Sequence, residues 1–201
     1  MPLIGVLALQ GAFREHLAAL RRVGVRAMEI RRKTHIDGID ALMLPGGEST
    51  AIGKLLTEED MFSPLLERLR GGMPVYGTCA GLILLCKTIE HSGQPRFGIL
   101  DATVRRNAFG RQTDSFETRL SIPEIGKGAF PAVFIRAPAI TETGPGVRVL
   151  AEIDGRAVAV RQGNALATAF HPELTKDIRL HRYFADMCRA AATPGADRAN
   201  A

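Results

Sequence analysis

Continuous apolar runs alternate with amphipathic ones through the first half of the chain. Leu3–Leu9 is apolar at nearly every position, as in a strand buried on both faces of a parallel sheet. Gln10-Gly11 turns the chain. Ala12 to Val23 then repeats with helical spacing, with Phe13, Leu17, Leu20 and Val23 on one face and Gly24 as its stop. Val25–Ile30 and Ala41–Leu44 read as further strands, the second broken by Pro45-Gly46-Gly47-Glu48-Ser49-Thr50. Helices over Thr50–Leu56 and Phe62–Arg70 lead to a strand at Val75. Strands alternating with helices in this way build βαβ units.

After Gly93 the pattern becomes strand-rich. Phe97–Arg105, Ser115–Ile122, Ala132–Arg136, Arg148–Ile153, Ala157–Arg161 and Ala165–Phe170 read as strands, with hairpin signals at Asp154-Gly155 and Gln162-Gly163-Asn164. They are expected to extend the same sheet. A closing helix spans Leu174 to Ala191. The expected architecture is α/β: a flavodoxin-like three-layer sandwich, its mostly parallel sheet covered by helices on both faces and carrying an antiparallel extension. Residues 1–191 read as one domain, and 192–201, small and polar, as a disordered tail.

Composition narrows the function classes. The 201 residues are 46% hydrophobic and 23% charged, enough for a full core. Three cysteines without paired spacing, Cys79, Cys86 and Cys188, argue for a reducing compartment and against disulfides or a structural zinc site. No run is long enough to span a membrane, and the apolar start lacks a basic leader, so the cytoplasm is expected. The formal charge is +5, with Arg14, Arg21, Arg22, Arg26, Arg31, Arg32 and Lys33 crowded early. These residues alternate with acidic and apolar positions, as on a solvated helix face. With no Trp and two Tyr there is no base-stacking platform, and nucleic acid is not expected as a partner.

The chemistry begins at Met73-Pro74-Val75-Tyr76-Gly77-Thr78-Cys79-Ala80-Gly81-Leu82, a short strand, a tight turn and an apolar helix. Gly77-Thr78-Cys79-Ala80-Gly81 has the form of a nucleophile elbow with Cys in the reactive place. The elbow leaves Cys79 exposed at a helix N-terminus, which favours negative charge there. A small apolar Cys in a core turn is the other reading. Phe170-His171-Pro172-Glu173 follows the last strand. An imidazole to move the thiol proton and a carboxylate to orient it are what Cys–His chemistry requires. His171 and Glu173 supply both, or simply cap a helix. The remaining histidines read as surface or packing residues: His16 on the first helix, His35 in a connection, His91 at a helix end and His181 on the closing helix. Gly46-Gly47-Glu48-Ser49-Thr50 is a backbone cradle for an anion or oxyanion, or a tight turn with Ser49 or Thr50 as helix cap. In a parallel sheet this loop and Cys79 share one edge. The N–H groups of Gly47 and Ala80 are then the candidate oxyanion donors.

Taken together, these segments resemble the triad-type (class I) glutamine amidotransferases. Within them the chain is most similar to the glutaminase subunits of glutamine-dependent pyridoxal 5′-phosphate synthases. The resemblance runs to about Cys188. It rests on Ile4–Ala12, Leu44–Thr50, Gly77–Leu82, Arg106-Asn107-Ala108-Phe109-Gly110-Arg111-Gln112, Phe134–Pro138 and Phe170–Leu174. The family commonly has Ser where Ala108 stands. The resemblance implies hydrolysis of L-glutamine to L-glutamate and ammonia. Cys79 would be the nucleophile, His171 the acid and base, and Glu173 the orienting carboxylate. It implies glutamine-binding roles for Gly47, Glu48, Ser49, Arg106, Ile135 and Arg136. Without it, Arg106 and Arg136 read as surface cations. It implies no cofactor or metal. The partner it implies is a (β/α)8-barrel synthase subunit in a large hetero-oligomer, which receives the ammonia. Docking is expected to reorient the Gln10-Gly11 peptide and complete the oxyanion hole, with the basic first helix as part of the docking face. A glutaminase serving another acceptor pathway, and a non-catalytic regulatory subunit on the same fold, are the competing readings.

Overall fold

The computed structural model describes residues 1–106 and 115–192. Seven strands form the main sheet: β1 (Leu3–Leu7), β2 (Arg26–Ile30), β3 (Ala41–Leu44), β4 (Val75–Thr78), β10 (Arg148–Ile153), β11 (Arg156–Gln162) and β12 (Ala165–Thr168). Their spatial order is β10-β11-β12-β4-β3-β1-β2. From β12 to β2 all pairings are parallel, while β10 and β11 extend the β12 edge antiparallel.

The chain runs outward from β1 to β2, returns to β3 on the other side of β1, and continues to β4. Right-handed crossovers then put α1 (Phe13–Val23) on one face and α2 (Ser49–Glu58) with α3 (Phe62–Arg70) on the other. α1 packs against α5 (Arg179–Ala192), and α2 against both α3 and α4 (Ala80–Leu85). The result is the flavodoxin-like sandwich expected. The β1/β3 pair is where strand order reverses, the place where such sheets bind ligands beyond their carboxyl ends.

Several expectations need correction. The later strands do not all join the main sheet. β5 (Cys86–Ile89), β6 (Leu100–Arg105) and β9 (Ala139–Thr143) form a separate three-stranded sheet, and β7 (Ser115–Leu120) pairs with β8 (Phe130–Ile135) in another. β5 and β9 were not expected as strands; β5 ends at Ile89, so His91 lies beyond a strand and not at a helix end. The closing helix starts at Arg179, not Leu174. Pro172–Leu174 is a single 3-10 turn, and Asp177 Oδ1 accepts from the Arg179 N–H at 3.0 Å. Ala192, expected in the tail, is the last residue of α5; 193–201 lie outside the described residues, as do Asn107–Gln112 of the quoted family segment.

Candidate active site

Every candidate functional residue except Ile135 follows the carboxyl end of a strand or sits in the loop beyond it. Gln10-Gly11 follows β1, Gly47-Glu48-Ser49 follows β3, Cys79 follows β4, Arg106 follows β6, Arg136 follows β8, and His171 follows β12; Ile135 itself ends β8. They converge on a cavity of about 450 Å³, within the roughly 300–1,000 Å³ of small-molecule sites. Of the residues given catalytic, oxyanion or glutamine-binding roles, only Ala80 and Glu173 are outside its lining; Ala12, Gly46, Ile83 and Leu174 complete it. Roomier clefts of about 620 and 660 Å³ open elsewhere, the first beside Asp40 and Cys188, the second beside Arg119 and Arg179. Neither touches the triad candidates, so the smaller cavity is the candidate active site.

The elbow is strained. Cys79 has φ 48° and ψ −99°, an uncommon conformation for a residue with a Cβ. Its N–H donates to Thr168 O at 2.8 Å, tying β4 to β12. The flanking glycines are required by contact. A Cβ at Gly81 would stand 2.2 Å from Leu44 O, and one at Gly77 2.5 Å from the Gly81 carbonyl carbon. Contrary to the exposed thiol expected, Cys79 is only 7% exposed. Ala80, just after it, is buried at the first position of α4, where helical N–H groups have no intrahelical acceptor.

His171 is held from several sides. Its N–H donates to Val133 O at 2.8 Å, fixing the segment to β8. Phe170 before it packs against Phe130 and Phe134. Its Nδ1 lies 2.7 Å from Glu173 Oε1, which leaves Nε2 as the ring nitrogen available to Cys79, and both residues line the same cavity. Burial disfavours the imidazolium, but the hydrogen bonds and charges of Cys79 and Glu173 outweigh it and raise His171 to about 10. Burial likewise raises the Glu173 carboxyl, yet His16 and the bond to His171 hold it below the usual carboxylate range. His171, not exposed solvent, occupies the open side of Gly46: a Cβ there would meet the ring at 2.3 Å.

Glu48 caps α2, accepting from the Thr50 and Ala51 N–H groups and from the Thr50 hydroxyl. The cap is therefore Glu48, not Ser49 or Thr50. The Thr50 hydroxyl first, then the backbone donors and Arg106, hold its carboxyl low against burial. Arg106 bonds Glu48 Oε1 at 3.0 Å and Gln94 Oε1 at 3.1 Å; Ser49 Oγ also donates to Gln94 Oε1, at 3.4 Å. Gln94 thus links two binding candidates, and nothing in its local sequence announces it. Arg136 takes φ 42° at the end of β8. The Gln10-Gly11 turn is pinned to the Gly46 loop: Ala12 N donates to Gly46 O at 3.0 Å and Glu48 N to Gln10 Oε1 at 2.9 Å. Gly11 has φ 100°, and a Cβ there would fall 1.9 Å from Gly46 O.

Residues 6–190 match the model of the SNO glutamine amidotransferase family. The chain belongs to that family. It is 57% identical over 187 residues to the pyridoxal 5′-phosphate synthase subunit PdxT of Carboxydothermus hydrogenoformans, covering 92% of this chain and 98% of that relative. It is 56% identical over 185 residues to the PdxT of Pelotomaculum thermopropionicum, covering 92% and 94%. A solved structure of a glutamine amidotransferase superposes with a TM-score of 0.88 at 52% identity, covering 92% of this chain and 98% of that one. No helix among the described residues is long and apolar enough to cross a membrane.

Proposed function

We propose that this amidotransferase is the glutaminase subunit of a pyridoxal 5′-phosphate synthase, hydrolysing L-glutamine to L-glutamate and ammonia in the cytoplasm. The observation that carries the chemistry is one imidazole, bonded at 2.7 Å to Glu173, that shares with Cys79 a cavity lined by two arginines. The identity of the pathway rests on the PdxT relatives.

In this reading Cys79 Sγ attacks the side-chain amide carbon of glutamine, and the thiol proton resides on His171. The N–H groups of Gly47 and Ala80, with the Gln10-Gly11 peptide, face the developing oxyanion. His171 passes its proton to the amide nitrogen as the C–N bond breaks, releasing ammonia and leaving a glutamyl thioester. Its raised pKa suits it to hold that proton until departure. Water then attacks the thioester with His171 as base, giving glutamate and free Cys79. Glu173 keeps the imidazole oriented throughout. Arg106 and Arg136 bind the substrate carboxylate, with Gly47, Glu48, Ser49 and Ile135 completing the pocket.

The ammonia passes to a (β/α)8-barrel synthase subunit within a large hetero-oligomer. The test is glutamate release from glutamine with and without the synthase subunit, for the parent chain and Cys79→Ala. Release that needs the subunit and vanishes in Cys79→Ala is expected. Undiminished release from Cys79→Ala would overturn the assignment of the nucleophile.

A further inference from the structure

On the side of Glu173 away from His171 lies a second group of polar side chains. His16 on α1 and His181 on α5 are both wholly buried, although they are 165 residues apart in sequence. His16 Nδ1 lies 3.0 Å from His181 Nε2. His16 Nε2 lies 3.1 Å from Thr78 Oγ1 and 3.5 Å from Glu173 Oε2. Thr78 immediately precedes the nucleophile. Among the described residues Glu173 Oε2 and His181 Nδ1 have no hydrogen-bond partner.

These contacts select one arrangement of protons. If His16 carried its hydrogen on Nδ1, its Nε2 lone pair would face the Glu173 carboxylate, and His181 would bury an unpaired N–H. With hydrogen on His16 Nε2, the N–H points to Thr78 and the carboxylate. His16 Nδ1 then accepts from His181 Nε2–H, and the only orphan on the pair is a lone pair on His181 Nδ1. An unmet N–H and a lone pair set against a carboxylate both cost more than that orphan. Burial keeps both rings neutral: it lowers His16 despite Glu173 and Glu15, which raise it, while the charge on His171 adds to the lowering; it pushes His181 down to about 3, with His16 and Arg22 also lowering it and Glu173 raising it. His16 therefore meets Glu173 as a dipole and not as a cation. At 3.5 Å the contact is longer than an ordinary hydrogen bond and acts through the oriented N–H.

We propose that His16 is a positioning residue for Glu173, presenting an N–H to the carboxylate oxygen that His171 leaves free, and that His181 fixes the tautomer which makes this possible. The inference rests on the glutaminase reading of Cys79, His171 and Glu173. A carboxylate buried with one oxygen unsupported can rotate or take up a proton, and either change releases His171. The His16 N–H, itself held by Thr78 Oγ1 at 3.1 Å, opposes both.

The experiment compares His16→Phe, His16→Gln and His181→Phe by steady-state glutamate release with the synthase subunit. Glutamine keeps an N–H near the place of the ring Nε2, whereas phenylalanine keeps only the bulk. His16→Phe is expected to lower kcat on the order of tenfold or more, as loss of a group supporting a catalytic residue does, with KM for glutamine within about twofold. His16→Gln should regain most of the loss, and His181→Phe should fall between. Two-bond 1H–15N spectra of the unaltered chain provide a readout independent of folding in the variants and of activity. Both His16 and His181 should appear as neutral Nε2–H tautomers at neutral pH. Parent-like kcat in a folded His16→Phe chain, a Gln variant as impaired as Phe, or an Nδ1–H tautomer at His16 would each overturn the proposal. An inactive parent chain with the expected tautomers would instead refute the glutaminase reading.

Discussion

Replacing Gly46 with alanine should silence the enzyme while leaving it folded. Gly46 is not among the positive-φ glycines, so the loop itself accepts alanine. The obstacle is the proposed catalytic ring of His171: the new Cβ would stand 2.3 Å from its Cε1 and 2.7 Å from its Nδ1. Ordinary contact begins at 3.4 Å, so the ring must recede about 1.1 Å, the difference 3.4 − 2.3. A misplacement of that size costs on the order of a hundredfold in rate. The ring also loses the 2.7 Å bond to Glu173. A hydrogen bond to a charged group is worth about 1.5–3 kcal/mol. At roughly 2–4 °C per kcal/mol for a chain of this size, Tm should fall by about 3–12 °C. The assay pairs glutamate release in the presence of the synthase subunit with thermal unfolding. Gly24→Ala is the control, since Gly24 has φ 82° but, among the described residues, nothing within 4 Å of the added carbon. It should lose stability through backbone strain, about 1–2 kcal/mol, and keep its kcat. Parent-like kcat in a folded Gly46→Ala chain would refute the reasoning.

Gly81→Ala should do the reverse and damage the fold first. Its Cβ would strike Leu44 O at 2.2 Å, a backbone atom of β3 that cannot turn aside, so a loss at the upper end of the usual ~1–3 kcal/mol for overpacking is expected in urea unfolding. Arg106→Ala should raise KM for glutamine with little loss of kcat. Its ion pair with Glu48 is part-exposed at 33% and 49%, so unfolding should move by no more than about 1 kcal/mol; a larger loss would make Arg106 structural. The stabilisation due to His171 should depend on pH with a definite sign. The folded chain binds the ring proton more tightly than the unfolded chain, so this stabilisation is complete below about pH 6.5 and fades as pH rises toward about 10. Urea midpoints of the parent and His171→Gln should converge over that interval, and a widening gap would contradict the assignment.

The central sheet and the elbow were legible because their signals are local. Leu3–Leu7, Ala41–Leu44 and Val75–Thr78 are short apolar runs, each followed by a glycine-bearing turn. β5 was hidden because Cys86–Ile89 follows α4 directly and sets the polar, exposed Lys87 and Thr88 between two buried ends, which is neither an alternation nor an apolar run, and β9 because only its first two residues are buried. The late start of α5 was hidden by Leu174-Thr175-Lys176, which carries no glycine, while the Asp177 contact with Arg179 is visible only in three dimensions. At the site, Cys79, His171 and Glu173 could be found by their motifs. His16 and His181 could not, because one histidine on each of two amphipathic helices looks like any core residue until the helices are packed together.

The insertion of β12 between β11 and β4 has a consequence for how the enzyme comes into being. β4 emerges from the ribosome well before its neighbour, aligned Leu166 to Tyr76, has been made. Until then the Cys79 N–H lacks the Thr168 carbonyl, and the thiol has no imidazole beside it. An unfinished chain is therefore chemically quiet. The price is a central strand pair of high sequence separation, which makes the closing step of folding slow and leaves the β4 edge open to mispairing while it waits.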